Sequence, residues 1–580
     1  MVEYDVIIRG GLIVDGSGGA PFTGDVAVRD GLIAAIGTVE GKGAKEVDAS
    51  GKLVTPGFVD IHTHYDGQVT WEHRLMPSSN HGTTTVVTGN CGVGFAPCRP
   101  DDRLKLVKVM EGVEDIPEIV MTEGIPWNWE SFPEYMDALA ARSFDVDVAV
   151  QIPHSPLRVY VMGDRGVNHD ASSEADRAEM TRLVAEAVRS GAVGVSTSRS
   201  LNHRAKDGKP APSVQTAVDE VLALAQGLAE ADAGVFQIIT EMSEPPEQEM
   251  AIIQRIGEVS KRPVSFTLSQ VPEAPDSWRG LIAGMEKANA AGCTVRGQIH
   301  ERPVGVLLGL ELSLNPLSTK PSYKAIARLP LAERIAIMRD PTFKAKLLAE
   351  EVEPDPAPLA NRLIGAVNQM FALGADPDYS PPREMQIGAR AEALGVSPLS
   401  LAYDLLLEQD GHAILCLPSA NFVSGTLKEV REMMEHPDTV IALGDGGAHY
   451  GVICDAGYPT HLLTHWGRDV AEEERFPIEW VIAALTRRPA ETVGLMDRGL
   501  LAPGMKADVN VIDHDRLRLH SPRPVYNLPA GGRRLQQRAD GYEVTLVNGV
   551  ITYREGEPTG ALPGRLVRGS GFQEPLRDAA

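Results

Sequence analysis

Between Gly57 and Asp445 the chain returns eight times to a short apolar run, with helix-like segments between the runs, and this alternation limits the fold more than any other feature of the 580 residues. The runs are GFVDIHTH, TTTVVTG (83–89), VDVAVQIP (146–153), AVGVSTS (192–198), GVFQIIT (234–240), RPVSFTL (262–268), CTVRGQIH (293–300) and TVIALGD (439–445). Segments such as EADRAEMTRLVAEAVRSG and TAVDEVLALAQGLAEADAG carry apolar residues at helical spacing and close on glycine. Eight strand and helix alternations predict an α/β fold, a (β/α)₈ barrel of the TIM type.

The flanks have another character. Residues 1–56 read as short strands broken by glycine turns, and the same pattern returns in ADVNVIDHD and GYEVTLVNGVITYREGE near the other end. The two ends are therefore expected to pair into one small β-sandwich domain, 1–56 with 501–580, around a barrel domain of 57–500. A long excursion at about 310–438, with the Pro-rich piece VEPDPAPLANRL, is expected to form a lid or an interface. The closing PGRLVRGSGFQEPLRDAA reads as weakly structured.

A formal net charge of -24 with no basic run argues against a nucleic-acid partner. The opening MVEYDVIIRGG has no basic and apolar leader pattern, and no window reaches the roughly 18 apolar residues needed to span a bilayer. Five scattered cysteines suit a reducing compartment, so a cytoplasmic protein without a membrane partner is expected. The GYPTHLLTHW segment and the excursion offer apolar surface for a homo-oligomer.

Active groups of such barrels sit at the C-terminal ends of the strands. His62 and His64, two residues apart on an extended chain, point the same way and suit one metal ion. Cys91 follows the second strand in a glycine-rich loop, Glu241 follows the fifth, and Asp445 ends the eighth in GDGGAH. Imidazole, thiolate and carboxylate are zinc ligands, and one or two divalent ions are expected, with a coordination position left for water. Zinc lowers the pKa of its water from about 15.7 to about 7. Asp445, on a strand ending in GDGGAH, suits a catalytic carboxylate better than a turn cap. His300 ends the seventh strand, with Arg296 and Gln298 on its face, and His449 follows the eighth; these are candidate contacts for a small-molecule substrate.

Together these segments resemble the amidohydrolase superfamily and, within it, the N-acyl-D-amino-acid deacylases (D-aminoacylases). The likeness runs through YDVIIRGGLIVDGSG, GFVDIHTHYDG, GTTTVVTGNCG, LRVYVMG, GAVGVSTS, the GDG strand, GMKADVNVID and VNGV. It implies a zinc hydrolase cleaving a linear N-acyl bond beside a carboxylate, with Asp445 handling the proton and Arg158, in LRVYVMG, among the substrate contacts. The family's histidines at the ends of the fifth and sixth strands are missing: the corresponding places are Glu241 and Thr267. Ser269 and Gln270 stand where a carboxylate-binding lysine is usual, and the arginine after the eighth strand is absent. Two other readings keep the fold. One opens a cyclic amide, although AVGVSTS lacks the metal-bridging lysine of many such enzymes; the other is a non-catalytic barrel.

Overall fold

The computed structural model describes residues 2–352 and 358–574. Its centre is an eight-stranded parallel sheet in strict chain order: Phe58–Asp60, Thr83–Thr88, Asp147–Pro153, Gly194–Ser198, Val235–Ile239, Val264–Thr267, Val295–Ile299 and Thr439–Ile441. All eight lie within the apolar runs. Its first and last members meet just past their ends, where Asp445 N donates to His62 O (3.0 Å) and His64 N donates to Gly446 O (2.8 Å). Gly444 permits that approach, since a Cβ there would lie 2.1 Å from Asp60 Oδ2. Helices cover the strands and share one core with them, including Val148, Phe236, Phe266, Leu224, Ile253 and Met285. The Glu174–Arg189 helix starts with a capping box, in which Ser173 and Asp176 satisfy each other's backbone N–H groups.

Both ends of the chain join in one nine-stranded sheet, where Leu53–Pro56 pairs with Val2–Ile13 on one side and Val509–Ile512 on the other. Hydrogen bonding defines a single sheet with one main core, including Ile8, Val26, Val54, Val511 and Leu546. That description is coarser than the two-layer sandwich expected. The tail through Glu574 is better ordered than its composition suggests. It lies along the barrel, with Val148 N donating to Arg565 O (3.0 Å) and Val567 N to Val148 O (2.7 Å).

The excursion is rooted by Val304–Gly309 pairing antiparallel with Ile414–Ala420, and its helices enclose a separate core including Leu308, Tyr323, Met338, Leu406 and Leu415. It thus leaves and rejoins the barrel earlier than 310–438, and the Lys428–Glu435 helix packs into the barrel core through Val430, Met433 and Met434. Five residues of the Pro-rich piece, 353–357, lie outside the described residues. The GYPTHLLTHW segment is no free apolar surface, because Tyr458, Leu462, Leu463 and Trp466 are buried in the barrel core. Among the described residues no helix is long and apolar enough to cross a membrane.

His81, buried between the first two barrel strands, bonds Thr460 Oγ1 (2.8 Å) and the Gln537 carbonyl (3.1 Å). Burial lowers its pKa from 6.5 to about 4. The unfolded chain therefore takes up a proton that the folded one refuses, so the stability this group contributes is complete above pH 6.5 and is lost as pH falls towards 4. The expected loss is on the order of 3 kcal/mol. Urea midpoints at pH 7.5 and pH 5 should show a smaller difference in His81→Gln than in the parent; equal differences would contradict the assignment.

Candidate metal centre

Short strands carry the ligand candidates to one rim. His62 and His64 follow the first strand, Cys91 the second and Asp445 the eighth. His62, His64 and Cys91 each offer a donor atom within 4.8 Å of the others. His62 Nε2 is 3.2 Å from Cys91 Sγ and 3.6 Å from Asp445 Oδ1, and His64 Nε2 is 3.8 Å from the same oxygen. Zinc held at about 2.0–2.3 Å by four tetrahedral ligands would separate them by about 3.3–3.7 Å. Among the described residues, Asp445 Oδ1 and His64 Nδ1 are buried without a hydrogen-bond partner.

Amides in the barrel interior set the orientation. Gln298, on the seventh strand, accepts from His62 Nδ1–H through Oε1 (2.7 Å), and its own Nε2 donates to Ser265 Oγ (2.9 Å). That bond leaves the lone pair of His62 Nε2 facing Cys91 and Asp445. Gln237, on the fifth strand, accepts from Cys91 N (3.2 Å). Gln151, on the third, donates to Asn90 Oδ1 (2.8 Å), and Asn90 donates to the carbonyl of Thr63 (3.1 Å), between the two histidines. Cys91, Asp445 and His449 all have left-handed φ (56°, 48° and 50°), a conformation unfavourable for side chains with a Cβ.

The electrostatics suit a cation. Burial pushes the His62 pKa down to about 4, and burial with the neighbouring His62, His449 and His203 holds His64 well below its usual value. Both imidazoles are thus neutral donors. Burial, then Glu114, Asp445 and Asp66, raises the Cys91 thiol; burial, then Asp455 and Asp60, raises Asp445; burial, then Asp445 and Asp66, raises Glu114. Uncompensated acids collected round neutral imidazoles are what a divalent ion relieves.

Other candidates fall elsewhere. Glu241 stands outside the cluster: its carboxylate accepts from Leu201 N (2.7 Å) and from Ser243 N (3.0 Å) and Oγ, tying two rim loops. Arg158 is buried against Glu220 and the carbonyls of Gly166 and Asp170, so its guanidinium already has partners. Arg296 lies at the opposite end of its strand, paired with Asp438. His300 is fully buried in a second polar group, 3.6 Å from Glu301 Oε2 and 3.7 Å from Asp455 Oδ2. His449 does reach the centre, with Nε2 3.5 Å from Glu114 Oε2.

Glu114 and His203 were not singled out from the sequence. Glu114 ends the Arg103–Glu114 helix, where the helix dipole disfavours a carboxylate; that mismatch was a legible signal. His203 comes from the loop after the fourth strand, which carries no motif.

A barrel with histidine, cysteine and carboxylate converging at its C-terminal rim defines a metal-centre protein of the barrel class. The amidohydrolase family model matches residues 45–553, and the chain belongs to that family. D-aminoacylase of Alcaligenes xylosoxydans xylosoxydans is 26% identical, covering 97% of each chain, and N-acyl-D-aspartate deacylase of the same organism is 25% identical over 97% of this chain and 95% of its own. Among solved structures, D-aminoacylase superposes with a TM-score of 0.65 at 22% identity, covering 98% of this chain and 100% of that one. The zinc and phosphonate complex of N-acyl-D-glutamate deacylase from Bordetella bronchiseptica gives 0.63 at 23%, with the same coverage.

Proposed function

We propose that the protein is a zinc-dependent hydrolase of a linear amide, cleaving a small N-acyl-amino acid or a close relative of one. The observation carrying this reading is Asp445 Oδ1 facing both His62 and His64 beside Cys91. His62, His64, Cys91 and Asp445 would hold the metal, which when bound acidifies water and polarises a carbonyl. Asp445 keeps its other oxygen for the proton, taking it from the attacking water and delivering it to the leaving nitrogen. His449, beside Glu114, lies where a donor could meet the developing oxyanion. The names of the full-length relatives support the substrate class. Gln270 accepts from Val423 N through its side-chain Oε1 (3.1 Å), and its backbone N–H donates to Asn421 Oδ1 (2.9 Å). In this reading the enzyme works in the cytoplasm and its partner is the small amide itself.

Elemental analysis together with amine release from N-acetyl-D- and N-acetyl-L-amino acids tests the reading. About one or two zinc per chain and turnover of at least one N-acyl amino acid are expected. A metal-free protein would overturn it, and zinc-loaded protein that opens only cyclic amides would move the assignment to the ring-opening branch.

A further inference from the structure

Glu114 lies between two histidines that come from opposite ends of the barrel domain. Its Oε1 is 3.4 Å from His64 Nδ1, the nitrogen turned away from Asp445, and its Oε2 is 3.5 Å from His449 Nε2. The carboxylate is almost completely buried, and among the described residues Oε2 and His64 Nδ1 have no hydrogen-bond partner. The backbone makes the same link, since the Glu114 carbonyl accepts from His449 N. The next residue, Asp115, turns the chain with φ 51° and accepts from Gly451 N (3.1 Å) and from Ser313 Oγ (2.9 Å) in the excursion. One helix end thus grips the first-strand ligand, the eighth-strand loop and the inserted unit.

We infer that Glu114 is a positioning residue for the metal centre: it holds the His64 ring so that Nε2 faces the ion, and it anchors His449 beside it. A carboxylate behind a ligating imidazole fixes the ring and raises its basicity. Gln298 does this for His62 through an amide, so the two histidines are oriented by groups of different charge. The inference rests on the zinc reading of the site.

The test is zinc affinity, measured by competition with a chromophoric chelator, on the full-length parent, Glu114→Ala and the near-isosteric Glu114→Gln. The expected result is unchanged stoichiometry, binding weaker by about 10- to 100-fold in Glu114→Ala, and partial recovery in Glu114→Gln. The visible bands of the cobalt-substituted protein should shift in Glu114→Ala, a change that a purely structural role would not produce. Parent-like affinity in both variants would overturn the inference, as would loss of a whole metal equivalent, which would make Glu114 a ligand. If the parent itself binds no zinc, the functional reading fails with it.

Discussion

Asp445→Asn is expected to lower turnover by about 10²- to 10⁴-fold, the range for loss of a positioned proton acceptor. Asparagine keeps the shape of the side chain and tolerates the left-handed backbone that Asp445 adopts at φ 48°. The bond from the residue 445 backbone N–H to the His62 carbonyl is untouched, so the loop should hold its place. His62, His64 and Cys91 remain as a three-ligand set, and most of the zinc should stay. Steady-state kinetics beside elemental analysis would separate lost proton transfer from lost metal. Turnover within a few-fold of the parent would remove Asp445 from the chemistry.

The His62→Ala, His64→Ala double variant is expected to retain essentially no zinc and to fall to background activity. Only Cys91 and Asp445 would remain, and a thiol raised well above its usual pKa by burial is a poor ligand without a cation to draw off its proton. Calorimetry gives a second reading. Zinc at about a thousand times its dissociation constant should stabilise the parent by about 4 kcal/mol, and the double variant by almost nothing. A zinc-dependent rise in melting temperature that survives both substitutions would place the ion elsewhere.

The eight barrel strands were legible because strands buried on both faces read as unbroken apolar runs with turns at their ends. The same logic brought His62, His64, Cys91 and Asp445 together, since position at a strand end fixes which rim a residue occupies. It does not fix what that side chain touches. Glu241 and His300 are at strand ends, yet one ties loops and the other sits in a separate buried network. Strand alternation groups Arg296 with His300, but it reports the face of the sheet and not the end of the strand. GYPTHLLTHW differs from its expected place for a related reason, because a short apolar segment looks the same in sequence whether its cover is another subunit or its own barrel. Glu114 and His203 arrive from a helix end and a loop outside the strands, where periodicity carries no information about the centre.

The joint between the first and eighth strands gives the metal a use in following how the chain folds. The bonds linking His62 to Asp445 and His64 to Gly446 span about 380 positions, among the most distant pairings in the barrel. Three of the four ligand candidates, His62, His64 and Cys91, come from the first two strands, and Asp445 lies on the far side of that joint. A complete ligand set therefore exists only once the last strand has docked. In a refolding experiment with cobalt in place of zinc, the ion can settle first on His62, His64 and Cys91, and the later change in its visible bands as Asp445 joins would serve as a clock for the moment the ring closes.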